Sequence, residues 1–228
     1  MSFRSAVSYS AIMIAGIILA AGESSRMGRD KALLPLGRET FLERLIEILR
    51  GEVSPLLVVL GHHAEEIVAR ISRPAGPARP DDFQIVRNPD YKLGQLSSLQ
   101  AALRSLQGQS VAGALVCLVD HPAITTAVVR AVLERFRTRQ PEIIIPTCRG
   151  RRGHPVFFSA KLFPELLDAP LDQGARVVVR RHAAAVELVE TGEEGILLDV
   201  DRPDDYELLR ERWKFLGGDG REASGGQP

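Results

Sequence analysis

Ile14-Ala15-Gly16-Ile17-Ile18-Leu19-Ala20-Ala21-Gly22-Glu23-Ser24-Ser25-Arg26-Met27-Gly28-Arg29-Asp30-Lys31 is the stretch on which the reading of this chain turns. Its first six residues are an unbroken aliphatic run of strand length, as expected for a strand covered on both faces by helices. With Arg4 upstream, the longer apolar run from Ala11 to Ala21 also imitates the core of a signal peptide. It is too short to span a bilayer, which takes ~20 apolar residues, and it runs straight into a turn rich in glycine and charge. A buried first strand explains it better. Residues 1–12 then read as a loose extension, and Met13 could serve as the start.

Outward from that strand the pattern alternates. Thr40 and Glu43 form a capping box before a helix over 41–50, whose apolar positions fall at helical spacing. Leu56–Leu60 is a second short apolar strand, closed by Gly61 and followed by a helical pattern through Ile67 and Ile71. The proline-rich segment 72–82 reads as a surface loop, and Phe83–Val86 as a third strand. An amphipathic helix over Leu96–Leu106, a buried strand over Ala114–Val119, a helix over Thr125–Arg137 capped by Thr125 or Thr126, and a strand over Glu142–Pro146 continue the series. After residue 148 the pattern loosens. It gives Val156-Phe157-Phe158, helices near Leu162–Leu167 and Ala175–Arg181, strands over Val186–Val189 and Ile196–Val200, and a last helix over Pro203–Leu216. Alternation of this kind predicts an α/β fold with a Rossmann-like, mostly parallel sheet and helices on both faces. One domain over 13–216 is expected, with a disordered tail over 217–228.

Composition narrows the function. The 228 residues carry 29 Lys+Arg against 29 Asp+Glu, so the net charge is 29 − 29 = 0 and nothing electrostatic favours nucleic acid or another polyanion. Hydrophobic residues at 45% and charged residues at 25% are those of a globular domain, and exclude a wholly disordered or fibrous chain. Cys117 and Cys148 form no C-x-x-C, so neither a metal knuckle nor a disulfide framework is suggested. A reducing, cytoplasmic setting away from membranes is the expectation.

In open α/β sheets ligands bind beyond the carboxyl ends of the strands. The loop after the first strand combines small residues, which let backbone N–H groups approach an anion, with Arg26, Arg29 and Lys31 to pair with it. It is neither of the two best-known phosphate signatures. Gly28-Arg29-Asp30-Lys31 is not a Walker A ending, and no G-x-G-x-x-G is present.

Leu19-Ala20-Ala21-Gly22-x-Ser24-x-Arg26-Met27-Gly28-x-x-Lys31-x-Leu33-Leu34-Pro35-Leu36 closely resembles the signature of the molybdopterin nucleotidyltransferase (MobA-like NTP transferase) family, specifically its molybdenum cofactor cytidylyltransferase branch. The resemblance runs from about 14 to 210. It continues through Asn88 with Gly94-x-x-Ser97-Ser98, Val119-Asp120-His121-Pro122, Gly153-His154-Pro155-Val156, Gln173-Gly174-Ala175-Arg176 and Asp199-Val200-Asp201-Arg202-Pro203-Asp204-Asp205-Tyr206. It implies a fold of the nucleotide-diphospho-sugar transferase type, and transfer of a nucleotidyl group from a nucleoside triphosphate to a phosphate monoester with release of pyrophosphate.

Chemistry of that kind needs charge neutralisation and an aligned in-line attack more than it needs a base, because the attacking phosphate is already an anion. Under the resemblance, Arg26 would hold the β- and γ-phosphates and Lys31 the α-phosphoryl group. Leu19, Ala20, Ala21, Gly22 and Ser24 would line the triphosphate, and Asn88, Gly94, Ser97 and Ser98 would border the nucleotide, with the two serines also serving as helix caps. Asp120, at the end of an apolar strand, suits Mg²⁺ or else caps the turn that follows. The resemblance adds Asp201, with or without Asp199, although Asp201 could equally cap the last helix. Asp204 and Asp205 read as first-turn acids.

His154, Gly174 and Arg176 would face the second substrate, while His154 and His121 could instead satisfy backbone groups. Arg149, Arg151 and Arg152 are either a phosphate dock or a solvated run. His62 and His63 follow the second strand without matching acids, which argues against a metal role there. Ala20-Ala21-Gly22 looks like the cytidylyl branch, where the guanylyl branch tends to carry Ala-Gly-Gly, so the partners implied are CTP and molybdenum-molybdopterin, with a molybdenum hydroxylase as recipient. Two alternatives stay open: transfer to another phosphorylated acceptor such as a sugar phosphate, and a non-catalytic molybdopterin chaperone.

Overall fold

The first strand is β1, Ile14–Leu19, buried along its whole length. Successive side chains of a strand point to opposite faces, and β1 divides accordingly. Ile14 and Ile18 enter one apolar core, while Ala15, Ile17 and Leu19 enter another. The first core is closed by helices α1 (Phe41–Leu49), α2 (Ala64–Ile71) and α4 (Thr126–Arg139), the second by α3 (Gln95–Ser105), α5 (Phe163–Asp168) and α6 (Arg176–Arg181). Helices therefore cover both faces of the sheet, as the unbroken apolar run requires. These features belong to a computed structural model that describes residues 12–71 and 82–215. Residues 1–11, all of the expected loop at 72–82 except Asp82, and the expected tail at 217–228 lie outside the described residues.

A two-residue hairpin of β2 (Pro35–Leu36) and β3 (Glu39–Thr40) precedes α1. The remaining strands are β4 (Leu56–Leu60), β5 (Gln84–Arg87), β6 (Gly113–Leu118), β7 (Ile143–Cys148), β8 (Arg151–Arg152), β9 (Val156–Ser159) and β10 (Val186–Glu190). The main sheet runs β10-β7-β9-β6-β1-β4-β5, with β8 paired to β7. Pairings β1–β4, β1–β6, β4–β5 and β7–β10 are parallel, and β9 lies antiparallel between β6 and β7. From β1 the chain builds outward through β4 and β5, then returns to the other side of β1 as β6. The ends of β1 and β6, where Leu19 pairs with Leu118, thus form the point at which strand order reverses.

Local signals hold where side chains satisfy backbone groups. Thr40 Oγ1 accepts from Glu43 N at 3.2 Å while Thr40 N donates to Glu43 Oε2 at 2.8 Å, so the capping box of α1 is complete. Thr125, not Thr126, caps α4, accepting from Val128 N at 3.3 Å.

One expected strand is absent. Residues Glu194–Leu197 form a 3₁₀ turn, and Ile196–Val200 pairs with no strand of the sheet. Its backbone bonds go elsewhere: His154 N donates to Ile196 O at 3.1 Å and Val200 N to Asp120 O at 2.9 Å. Ile196 and Val200 are buried, but in two separate small clusters rather than on one sheet face. The segment is a strap across the ends of β6 and β7, and it leads into α7 (Pro203–Phe215). Gly153 and Gly195 are required there, since a Cβ on either would meet the backbone of Ile196 or Ala123.

Candidate functional site

Past the end of β1 the backbone is held on both sides. Ala20 N donates to Val59 O at 2.9 Å, and Val119 N donates to Leu19 O at 3.1 Å. The loop then closes on itself through Ser24, a non-glycine residue with a left-handed φ of 50°, whose Oγ accepts from Lys31 N at 3.0 Å. That bond sets where the Lys31 side chain starts. Lys31 Nζ lies 2.5 Å from Asp201 Oδ1 and 3.5 Å from Asp120 Oδ2, and Arg26 Nη1 lies 3.0 Å from Asp201 Oδ2. Four residues from three distant stretches of sequence form one network of two cations and two carboxylates.

A cleft of about 340 Å³ opens over this network. The expected residues Leu19, Ala20, Ala21, Gly22, Ser24, Arg26, Lys31, Gly94, Ser98, Asp120 and Asp201 all line it. The strap explains how Asp201 arrives: the bond from Val200 N to the carbonyl of Asp120 places the two acids side by side. The Asp201 carboxylate bonds Arg26 and Lys31, while Asp205 Oδ2 accepts from Asp201 N at 3.1 Å and Arg202 N at 2.8 Å and so fastens the entry to α7. Hydrogen bonding from Lys31, reinforced by the charge of Arg26, holds the Asp201 carboxyl below the usual range.

Asn88 and Ser97 have a different placement from the expected one. Both are buried outside the cleft lining, where Asn88 Nδ2 donates to Ser97 Oγ and Ser98 Oγ at 2.9 Å each. The serines lie inside α3 and do not cap it; Gly94 precedes the helix. Ser97 Oγ instead donates to the carbonyls of Asp90 and Gly94. This network shapes the loop from which Tyr91 and Gln95 reach the cleft, two residues that carry no phosphate-binding signal in sequence. Asp199 is exposed and does not line the cleft.

His154, Gly174 and Arg176 come together in an adjoining hollow of about 300 Å³ that shares Leu19, Gln95 and Leu118 with the cleft and is otherwise mainly aliphatic. His154 and His121 pack with ring centroids 4.7 Å apart. Burial, and then the neighbouring His121, push His154 down to about 3, so its imidazole is neutral at physiological pH. Burial likewise lowers His121, against the opposing charges of Asp120 and Asp199. Of the basic loop, Arg149 pairs with Glu194 at 3.0 Å, and none of Arg149, Arg151 and Arg152 lines the cleft or the hollow.

The carboxylates fit a hard divalent cation. Asp120 Oδ1 is buried without a hydrogen-bond partner, and the carboxylates of Asp120 and Asp201 line the same cleft, so oxygen ligands of the kind Mg²⁺ takes are offered there. The expectation that His62 and His63 lack an acid is corrected by the fold: Asp30 Oδ2 lies 2.8 Å from His63 Nδ1 and Asp30 Oδ1 lies 3.5 Å from His62 Nδ1. Asp30 sits one residue before Lys31, and only the return of the chain at Gly61 brings the histidines to it.

Comparison with known proteins agrees with this geometry. Residues 16–186 match the MobA-like NTP transferase domain. The chain is 29% identical over 197 residues to a molybdenum cofactor cytidylyltransferase of Escherichia coli strain K12, covering 86% of this chain and 95% of that protein. It is 31% identical over 211 residues to a nicotine blue oxidoreductase of Paenarthrobacter nicotinovorans, covering 86% and 96%. The crystal structure of a homologue of Mycobacterium tuberculosis Rv0371c from Mycobacterium sp. strain JC1 superposes with a TM-score of 0.76 at 30% identity, over 89% of this chain and 98% of that one. Sheet order, the loop after β1 and these matches converge: the chain belongs to the MobA-like NTP transferase domain family.

Proposed function

We propose that the protein transfers CMP from CTP to the terminal phosphate of molybdenum-molybdopterin and releases pyrophosphate. The observation that carries this reading is the convergence of Arg26 and Lys31 with Asp120 and Asp201 in one cleft at the strand-order reversal. The phosphate oxygen of the acceptor forms a bond to the α-phosphorus, and the bond from that phosphorus to its bridging oxygen breaks. The electron pair leaves on pyrophosphate. Lys31, only 12% exposed, supplies a positive charge in a partly dehydrated setting where charge shifts on the α-phosphoryl group. Arg26, largely exposed, suits the outer phosphates, which its planar fork can grip in two places. Asp120 and Asp201 would hold Mg²⁺, which neutralises triphosphate charge when bound. In the free protein these acids instead pair the two cations, so metal and triphosphate together would exchange one set of ion pairs for another.

Specificity for CTP is supported by Ala21, a buried residue on the cleft wall, at a position where the resemblance implies glycine for the guanylyl-transferring branch. A methyl of this kind discriminates by about 1–3 kcal/mol if it sets pocket shape. The hollow with His154, Gly174 and Arg176 is mainly apolar with one cation, which suits a pterin bearing a phosphate.

The experiment is to incubate the protein with each nucleoside triphosphate, Mg²⁺ and molybdenum-loaded molybdopterin, then weigh the product by mass spectrometry. A cytosine dinucleotide with equimolar pyrophosphate is expected. Preference for GTP would overturn the base assignment, and turnover with a sugar phosphate but not the pterin would overturn the acceptor. Pterin binding without pyrophosphate from any triphosphate would leave a carrier. Dye reduction without nucleotidyl transfer would instead favour oxidoreductase activity, the property in the name of one relative.

A further inference from the structure

We propose that Asp30, His62 and His63 form a second divalent-metal site, selective for a borderline transition-metal ion such as Zn²⁺ and distinct in its residues from Asp120 and Asp201. One carboxylate oxygen and one ring nitrogen from each histidine all lie within 4.8 Å of one another, close enough for a single ion to gather them with small side-chain shifts. The rings stack with centroids 3.7 Å apart, and both turn Nδ1 toward the same carboxylate, at 2.8 Å for His63 and 3.5 Å for His62. Two rings turned to one acid bring three ligand atoms of different residues to one point.

The backbone holds these groups in place. His62 N donates to Ala21 O at 3.1 Å, tying it to the end of β1. His63 occupies the left-handed region at φ 46°, a conformation uncommon for a non-glycine residue, and its carbonyl accepts from Ile67 N as α2 begins. The Asp30 side chain is 11% exposed and caps nothing, although it precedes a 3₁₀ turn. Its two oxygens are instead turned to the two imidazoles. His63 is 54% exposed, which leaves open coordination positions facing the hollow bordered by Arg29 and Glu66.

The donor chemistry sets the ion. Two imidazoles and one carboxylate suit Zn²⁺, Co²⁺ or Ni²⁺, whereas Mg²⁺ and Ca²⁺ favour all-oxygen surroundings such as those at Asp120. Because Asp30 directly precedes Lys31, an ion held here would fasten the phosphate loop to the turn between β4 and α2. The inference stands whichever triphosphate or acceptor the cleft takes.

The test uses the full chain, stripped of metal by a chelator and kept in saturating Mg²⁺. Co²⁺ is titrated in and followed by its visible d–d absorption, Zn²⁺ is then used to displace it, and X-ray absorption counts imidazole ligands. One equivalent of Co²⁺ with two imidazoles is expected. Asp120→Asn should leave this binding unchanged, while His62→Gln and His63→Gln should each weaken it by about tenfold or more. A spectrum without imidazole scattering from the unmutated chain, displacement of Co²⁺ by Mg²⁺, or loss on Asp120→Asn with retention in both histidine variants would each overturn the site.

Discussion

Lys31 is the residue at which local sequence and long-range folding meet. Ser24, seven positions earlier, fixes its backbone, while Asp120 and Asp201, each far along the chain, receive its side chain. Under the proposed function, replacing Lys31 with Ala removes a preorganised charge from the transition state and is expected to lower turnover by on the order of 10²–10³-fold. Its effect on folding is expected to be small, because Asp201 is 41% exposed and water can take the lost partner's place. Steady-state pyrophosphate release together with a thermal melt separates the two effects; unchanged release would remove Lys31 from the chemistry. Asp205 teaches the converse lesson. Two acids near the start of α7 are interchangeable on paper, and the hydrogen bonds show that Asp205 serves the helix while Asp201 is left for the site.

Among the elements, α6 is short and ends on His182, which no sequence pattern singles out. Its Nδ1 lies 3.0 Å from Glu142 Oε2, just before β7, and its Nε2 lies 2.6 Å from Glu165 Oε2 on α5. Hydrogen bonding to Glu165, aided by Glu142, raises the imidazole above its ordinary value of 6.5. A raised folded-state value means that the stabilisation is fully present below 6.5 and disappears as pH rises through the higher, folded-state value. The Tm difference between the parent and His182→Gln should therefore be largest below pH 6.5 and vanish in alkali, with a ceiling of about 1 kcal/mol because solvent reaches the group. A difference that grows with pH would refute the pairing. Elements whose signals were internal, such as α1 with its Thr40–Glu43 box, match expectation within a residue.

At the scale of the molecule, β9 determines how the two halves of the sheet are joined. It runs antiparallel between β6 and β7, and Phe157 fills the space beneath α4, fully buried with its ring centroid 4.3 Å from that of Phe136. Gly113, which pairs with Ser159 two residues along β9, has no room for a Cβ, which would meet the Phe157 ring. Phe157→Ala should cost about 3–5 kcal/mol, read as a lower urea midpoint at unchanged slope. An unaltered midpoint would mean that this junction contributes little.

Fold class, the loop after β1 and its cations were legible in the chain because each depends on contacts within a few residues: apolar runs, caps, and small residues directly behind a strand. Ala20, Ala21, Gly22, Ser24, Arg26 and Lys31 stand in the cleft as read. The strap at Ile196–Val200 has the sequence pattern of a strand without being one, because an apolar run reports burial but not its hydrogen-bond partners. For the same reason Asn88 and Ser97 looked like lining and prove to be scaffolding. The choice of Asp201 over Asp199 beside Asp120, and the meeting of Asp30 with two histidines thirty-odd positions away, were decided only by tertiary structure. Proximity across a sheet edge depends on strand order and on where a backbone N–H finds its acceptor, and no local pattern of residues carries that information.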